Sequence, residues 1–255
     1  MASIDLRIDA TERVAWIVLN NPSRANAITA SMWHTLAETL TSLRERSDVQ
    51  ALCVVGEGDH VSSGAEISEL DRILYSGEDL IPAATDALET FPKPTVAVIR
   101  GNCIGGGWEL ASACDLRIAA TSANIAITPA RLGVVYPAGG IRRLVEIVGR
   151  PRARHLLYTA RHLPAPEAAT YGMLSEVVDD ADLETVVARL LATLRSRSQL
   201  SIMAAKDLIA AADDPRAAAE RHATWNDLSA TSGEVAEGRR AFFEQRAPRF
   251  PWSPS

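Results

Sequence analysis

The chain has 255 residues, of which 47% are apolar and 23% charged, and its formal net charge at pH 7 is -6. The length fits one large domain or one domain with a small appendage, and the composition excludes a disordered or collagen-like chain. Because the phosphate backbone of nucleic acids is itself negative, the acidic balance argues against nucleic-acid binding.

Targeting and metal-binding patterns are not found in this sequence. Charged side chains such as Asp5 and Glu12 interrupt the N-terminal segment, which therefore lacks the apolar core of a signal peptide. No apolar run approaches the roughly 20 residues of a membrane span. Cys53, Cys103 and Cys114 form no Cys-x-x-Cys pair, and the histidines lack metal-binding helical spacing. We expect a cytoplasmic protein with reduced thiols, no membrane contact and no metal.

The first half of the chain alternates β-type runs with segments of helical periodicity. In chain order, the predicted elements are strands at 6–8 and 14–19, a helix at 28–46, a strand at 51–55, helices at 66–74 and 80–91, a strand at 95–99, a helix at 109–114 and a strand at 116–119. Strands that alternate with helices predict βαβ units and a mainly parallel sheet.

The second half is predicted to be mostly helical. In chain order, it contains helices at 141–148, 151–158 and 165–171, a strand at 175–178, and helices at 183–196, 202–212, 215–228 and 233–246. The sequence therefore predicts an α/β core at 1–198 followed by a C-terminal helical subdomain at 199–255.

A glycine cluster follows the predicted strand at 95–99. Its spacing fits neither the dinucleotide pattern, which needs a glycine in place of Leu110, nor the phosphate loop, which needs a lysine in place of Gly107. A strand, glycines and a helix start together place free N–H groups where a ligand oxygen can approach. The alternative is a tight packing turn.

A second strand-to-helix turn lies at 60–70 and contains Ser63 and Gly64. Two such turns together can offer two amide donors to one carbonyl oxygen. The alternative is that the serines only cap the following helix.

Four stretches, taken in order, resemble the crotonase superfamily of enoyl-CoA hydratases and isomerases. They are the segment at 21–28, the Ser-Gly-Ala-Glu-Ile turn at 63–67, the glycine-rich block at 93–120 and the tail at 237–250. The resemblance implies a crotonase-like ββα spiral core, assembly as a homotrimer or homohexamer through the C-terminal subdomain, and an acyl-CoA thioester substrate. Coenzyme A is then part of the substrate, and no separate cofactor is expected.

The resemblance also implies roles for individual residues. The amides of Ala65 and Gly106 match the oxyanion hole, and Glu109 matches the first catalytic glutamate. The residues assigned to substrate binding are Arg24, Ala25, Ser63, Gly64, Ile67, Gly105, Trp108 and Pro129. Trp108 either forms part of the wall of the acyl pocket or is an ordinary core residue.

The sequence departs from the hydratase pattern at two positions. Pro129 stands where the family has its second glutamate, and a proline cannot move a proton, which puts two-glutamate hydration in question. Tyr136 stands where hydratases have a proline, and its phenol is a candidate donor to substrate or water. The alternative is a partly buried aromatic residue whose hydroxyl is hydrogen-bonded within the protein. The surroundings of Tyr136 resemble a branch that decarboxylates methylmalonyl-CoA, although Ala65 replaces that branch's histidine.

We therefore expect an enzyme of hydratase/isomerase type in which Glu109 and Tyr136 are catalytic. A single glutamate also suffices to shuttle a proton between Cα and Cγ, which is isomerase chemistry. An acyl-CoA decarboxylase and a non-catalytic acyl-CoA-binding protein remain alternatives.

Overall fold

The structure is a computed structural model that describes residues 2–253. Its strands are β1 (Ser3–Asp9), β2 (Val14–Asn20), β3 (Ala51–Gly56), β4 (Thr95–Ile99), β5 (Asn102–Ile104), β6 (Leu116–Ala120), β7 (Asn124–Ala126), β8 (His162–Pro164) and β9 (Glu176–Val178). Its helices are α1 (Ala30–Leu43), α2 (Leu70–Tyr75), α3 (Leu80–Glu89), α4 (Gly106–Ala113), α5 (Pro129–Leu132), α6 (Ala138–Thr159), α7 (Ala165–Thr170), α8 (Leu183–Ser196), α9 (Gln199–Ala210), α10 (Pro215–Thr231) and α11 (Glu234–Phe243).

The main sheet has six strands in the order β1-β2-β3-β4-β6-β9. Only β1 and β2 pair antiparallel, and the other neighbours are parallel. The mixed α/β class and the mainly parallel sheet are thus confirmed. A second sheet, in the order β5-β7-β8, was not predicted, and each of its strands has only three residues.

Both faces of the main sheet are covered by apolar side chains. Along β2, Ile17 and Leu19 point into the larger core with α1, α3 and α4, whereas Val14 belongs to a smaller core that includes Leu183 and Val187 of α8. This separation follows from the two-residue period of a strand. All three cysteines are free and buried, as expected of small apolar fillers.

Helix α6 joins the two helices predicted at 141–148 and 151–158. Gly149 separates them with φ 75° and ψ 159°, so the backbone is not helical at that residue. Pro151 follows, as is common at the first turn of a new helix.

The C-terminal region consists of helices α9, α10 and α11, as predicted, whereas the division at residue 198 stays a prediction. No side chain of α10 is buried, and Phe242 and Phe243 of α11 are each 78% exposed. Within residues 2–253, no helix combines the length and apolar character needed to span a membrane.

Candidate active site

The turn after β3 is held between two other segments by backbone hydrogen bonds. Ser62 N–H donates to Asn102 O (2.9 Å) and Ile104 N–H donates to Ser62 O (3.0 Å), which ties the turn to β5. On its other side, Ile28 N–H donates to Gly64 O (2.8 Å). The two strand-to-helix turns therefore lie side by side.

The glycines at the start of α4 make this close approach possible. Gly105 has φ 51° and ψ −107°, a conformation that residues with a side chain rarely adopt. A Cβ on Gly107 would lie 2.9 Å from both Cβ and O of Ser62, so a larger residue would push the two turns apart.

Two backbone N–H groups are available where these turns meet. Within residues 2–253, neither Ala65 N–H nor Gly106 N–H donates a hydrogen bond to any acceptor. The turns are in direct contact, since a Cβ on Gly106 would lie 3.1 Å from Ala65 N. Both residues line one cavity of about 250 Å³. Unpaired N–H groups at a helix start are suited to bind a partly negative oxygen.

The cavity is mainly apolar and contains one carboxylate. Its aliphatic lining comes from several elements and comprises Ile67, Leu70, Leu74, Ile81, Ile104, Leu132, Val134 and Val135. Among the described residues that line it, Glu109 is the only acidic one. An apolar pocket with few polar groups is typical of a small-molecule site.

Glu109 lies in the first turn of α4, and only 1% of its surface is exposed. Its Oε1 lies 2.6 Å from Nη2 of Arg143, and its Oε2 accepts no hydrogen bond from residues 2–253. Burial raises the pKa of Glu109, and the neighbouring Tyr136 and Arg143 oppose this shift without cancelling it. Glu109 therefore lines the same cavity as Ala65 and Gly106, and one of its carboxylate oxygens, Oε2, has no hydrogen-bond partner among residues 2–253.

Tyr136 also lines the cavity, and its hydroxyl donates to Gly105 O over 3.1 Å. Burial, reinforced by the negative charge of Glu109, raises the pKa of Tyr136 well above 10, so the phenol keeps its proton at neutral pH. The Gly105 carbonyl and the Gly106 N–H belong to one peptide unit. The phenol therefore contacts the same peptide that carries one of the free N–H groups.

The other candidates named from the sequence divide into two groups. Ser63, Gly64, Ile67, Gly105 and Pro129 line the cavity with Ala65, Gly106, Glu109 and Tyr136, whereas Arg24, Ala25 and Trp108 do not. Pro129 is buried at the start of α5.

Arg24 and Ala25 lie beside the Ser62–Ala65 turn, because Ser63 donates its hydroxyl to Arg24 O (3.0 Å) and its N–H to Ala25 O (2.8 Å). Trp108 is fully buried in the core instead of forming a cavity wall.

Sequence reasoning missed two residues that contact Glu109. Arg143 is the ion-pair partner, and Gly140 packs so closely that a Cβ there would lie 2.0 Å from Glu109 Oε2. Both lie on α6, far from Glu109 along the chain. Two adjacent arginines, Arg142 and Arg143, occupy polar positions of the helical pattern, and nothing local indicates which one turns inward.

The fold is that of the crotonase superfamily. A family model described as enoyl-CoA hydratase/isomerase matches residues 9–252, and the chain belongs to that family. A solved structure of an enoyl-CoA hydratase/isomerase family member is 34% identical, covers 100% of both chains and superimposes with a TM-score of 0.95.

Two curated relatives represent different activities. A probable enoyl-CoA hydratase of Mycobacterium bovis is 30% identical, covering 95% of this chain and 96% of that protein. The peroxisomal Delta(3,5)-Delta(2,4)-dienoyl-CoA isomerase of Arabidopsis thaliana is 29% identical, covering 96% and 95%. Since one relative is peroxisomal, the cytoplasmic location of this chain stays a prediction.

Proposed function

We propose that this protein converts acyl-CoA thioesters by stabilising their enolate, with the Ala65 and Gly106 N–H groups as the oxyanion hole. The observation that carries the proposal is the pair of free N–H groups that line one cavity with a buried carboxylate. Electron density drawn onto the thioester oxygen makes Cα acidic. Each fixed donor of this kind is typically worth about 10²- to 10³-fold in rate.

Glu109 carries out the proton transfers at the carbon atoms of the substrate. Its Oε2 takes a proton from Cα of a 3-enoyl thioester, and the electron pair moves to the thioester oxygen as a dienolate. The same carboxyl then returns the proton to Cγ, the double bond moves to the 2,3 position, and Glu109 is regenerated. This isomerisation needs one acid-base group, and Glu109 is the only acidic residue among the described residues lining the cavity.

Hydration in the family's two-glutamate form needs a second carboxylate to activate water, and Pro129 offers none. Isomerisation is therefore the favoured activity, and hydration, decarboxylation and non-catalytic binding are the alternatives.

Substrate assays separate these activities. Conversion of 3-hexenoyl-CoA raises the absorbance of the conjugated 2-enoyl product, whereas hydration of crotonyl-CoA lowers it, and decarboxylation of methylmalonyl-CoA changes the product mass. We expect the isomerisation of 3-hexenoyl-CoA to be the fastest of these three reactions. Turnover of methylmalonyl-CoA alone would favour the decarboxylase, and tight acyl-CoA binding with no turnover would favour a binding protein.

Tyr136→Phe tests the phenol that contacts the oxyanion peptide. The substitution removes the hydrogen bond to Gly105 O and with it a restraint on the Gly106 N–H, so we expect kcat to fall about 10-fold, the equivalent of one hydrogen bond. KM is expected to change little. A loss confined to KM would instead assign the hydroxyl to ground-state substrate binding, and an unchanged kcat would show that this hydrogen bond does not aid catalysis.

We also propose that the protein assembles as a homotrimer or a homohexamer. The exposed phenyl rings of Phe242 and Phe243 and the lack of buried side chains on α10 support an assembly that covers these helices. Sedimentation equilibrium measures the mass of the assembly, and a monomer at micromolar concentration would contradict the proposal.

A further inference from the structure

Arg143 is a buried guanidinium beside the candidate catalytic carboxylate, but it is not part of the substrate cavity. Only 3% of its surface is exposed, and its Nη2 lies 2.6 Å from Glu109 Oε1. It borders a separate cavity of about 670 Å³, which Glu89, Arg142 and Glu146 also line. Arg143 therefore acts on a bound substrate only through Glu109.

Every nitrogen of this guanidinium has a partner. Nη1 donates to Glu89 Oε2 of α3 (2.8 Å), and Nε donates to Ser112 Oγ of α4 (3.3 Å). Ser112 in turn donates to Glu109 O (2.9 Å). Since a buried charge is tolerated only when paired, these contacts from α3 and α4 hold the Arg143 side chain of α6 in one orientation.

As a consequence, the two carboxylate oxygens of Glu109 differ in their hydrogen-bond partners. Oε1 is occupied by Arg143, and Oε2 has no partner among residues 2–253. We propose that Arg143 is a positioning residue that fixes Glu109 through Oε1 and balances its charge, so that Oε2 alone exchanges protons with the substrate. This inference rests on the proposed function of Glu109 as the acid-base group.

The charged side chains near Arg143 and Glu109 together determine how readily the Glu109 carboxylate is protonated. Asp86 and Glu89 of α3 lie 3.9 Å and 2.8 Å from Arg143 Nη1. Arg142 of α6 shares Glu89, and Tyr136, Arg131 and His162 line the same cavity as Glu109. Removing the positive charge of Arg143 therefore disfavours the carboxylate form of Glu109. Removing the negative charge of Glu89 leaves more of the Arg143 charge to Glu109 and favours that form.

The test compares Arg143→Met, Arg143→Lys and Glu89→Gln with the wild type. The pKa of Glu109 is measured from ¹³C resonances of carboxyl-labelled glutamates, and the Glu109 resonance is identified by its loss in Glu109→Gln. We expect Arg143→Met to raise this pKa by roughly 1 to 3 units and Glu89→Gln to lower it by up to about one unit. Arg143→Lys keeps the positive charge, so the pKa of Glu109 in this variant is expected to remain nearer the wild-type value.

Kinetics provide the second measurement, on whichever thioester the wild type converts. The acidic limb of the kcat/KM profile is expected to move to higher pH in Arg143→Met and to lower pH in Glu89→Gln, with KM little changed. A purely structural role of Arg143 lowers the melting temperature without moving the pKa of Glu109, and that result would overturn the proposal. If Arg143→Met does not fold, an unshifted pKa in Glu89→Gln overturns it instead.

The proposed function and the positioning role of Arg143 are contradicted by different results. A wild type that converts no acyl-CoA thioester contradicts the proposed function. The NMR titration needs no turnover and still reports whether Arg143 controls Glu109.

Discussion

Glu109→Gln is expected to reduce turnover of the enoyl thioester by about 10²- to 10⁴-fold, the range for loss of a positioned acid-base group. The amide has nearly the shape of the carboxylate, and it can still accept from Arg143 through its oxygen, but it cannot take up a proton. Because Glu109 is not one of the two N–H donors, acyl-CoA affinity is expected to change far less. Initial rates and calorimetric titration with a non-reactive thioester measure the two effects.

The matched control is Glu184→Gln, the same change on the surface of α8, where the side chain of Glu184 is 86% exposed. This variant should keep wild-type rates. Equal rates for Glu109→Gln and the wild type would remove Glu109 from the mechanism and leave the cavity as a binding site.

Gly140→Ala is expected to lower kcat about 100-fold without unfolding the protein. A methyl group at this position would lie 2.0 Å from Oε2 and 2.5 Å from Oε1 of Glu109, so the carboxylate must move. A displacement of about 1 Å in an active site can cost about 10²-fold in rate. Helix α6 itself tolerates the change, since alanine favours helices over glycine by about 1 kcal/mol.

Gly139→Ala is the control for this prediction, because Gly139 is the preceding residue on the same helix. A Cβ on Gly139 would meet its nearest atom, Nη1 of Arg143, at 3.4 Å, an ordinary contact. Rates and melting temperatures of both variants are compared. If the two variants have the same kcat, the close contact between Gly140 and Glu109 has no catalytic consequence.

The local patterns of the sequence predicted the six strands of the main sheet, its mainly parallel character and the two strand-to-helix turns, but not the short strands β5, β7 and β8. Each depends on residues that are near one another in the chain: the apolar period of a strand or helix, or glycines between them. The turns contain Ala65 and Gly106, and the start of the second helix contains Glu109. We named these three residues from the sequence because the motifs that contain them resemble those of the crotonase superfamily.

The tertiary structure alone decided what surrounds Glu109. Arg143 is 34 positions away in sequence, and its inward orientation depends on how α6 packs against α3 and α4. Trp108 shows the converse: it is adjacent to Glu109 but points into the core, because neighbouring residues on a helix do not face the same side. The sequence alone thus located the candidate proton-transfer group, whereas packing between distant elements determined its charge partner and the space it occupies.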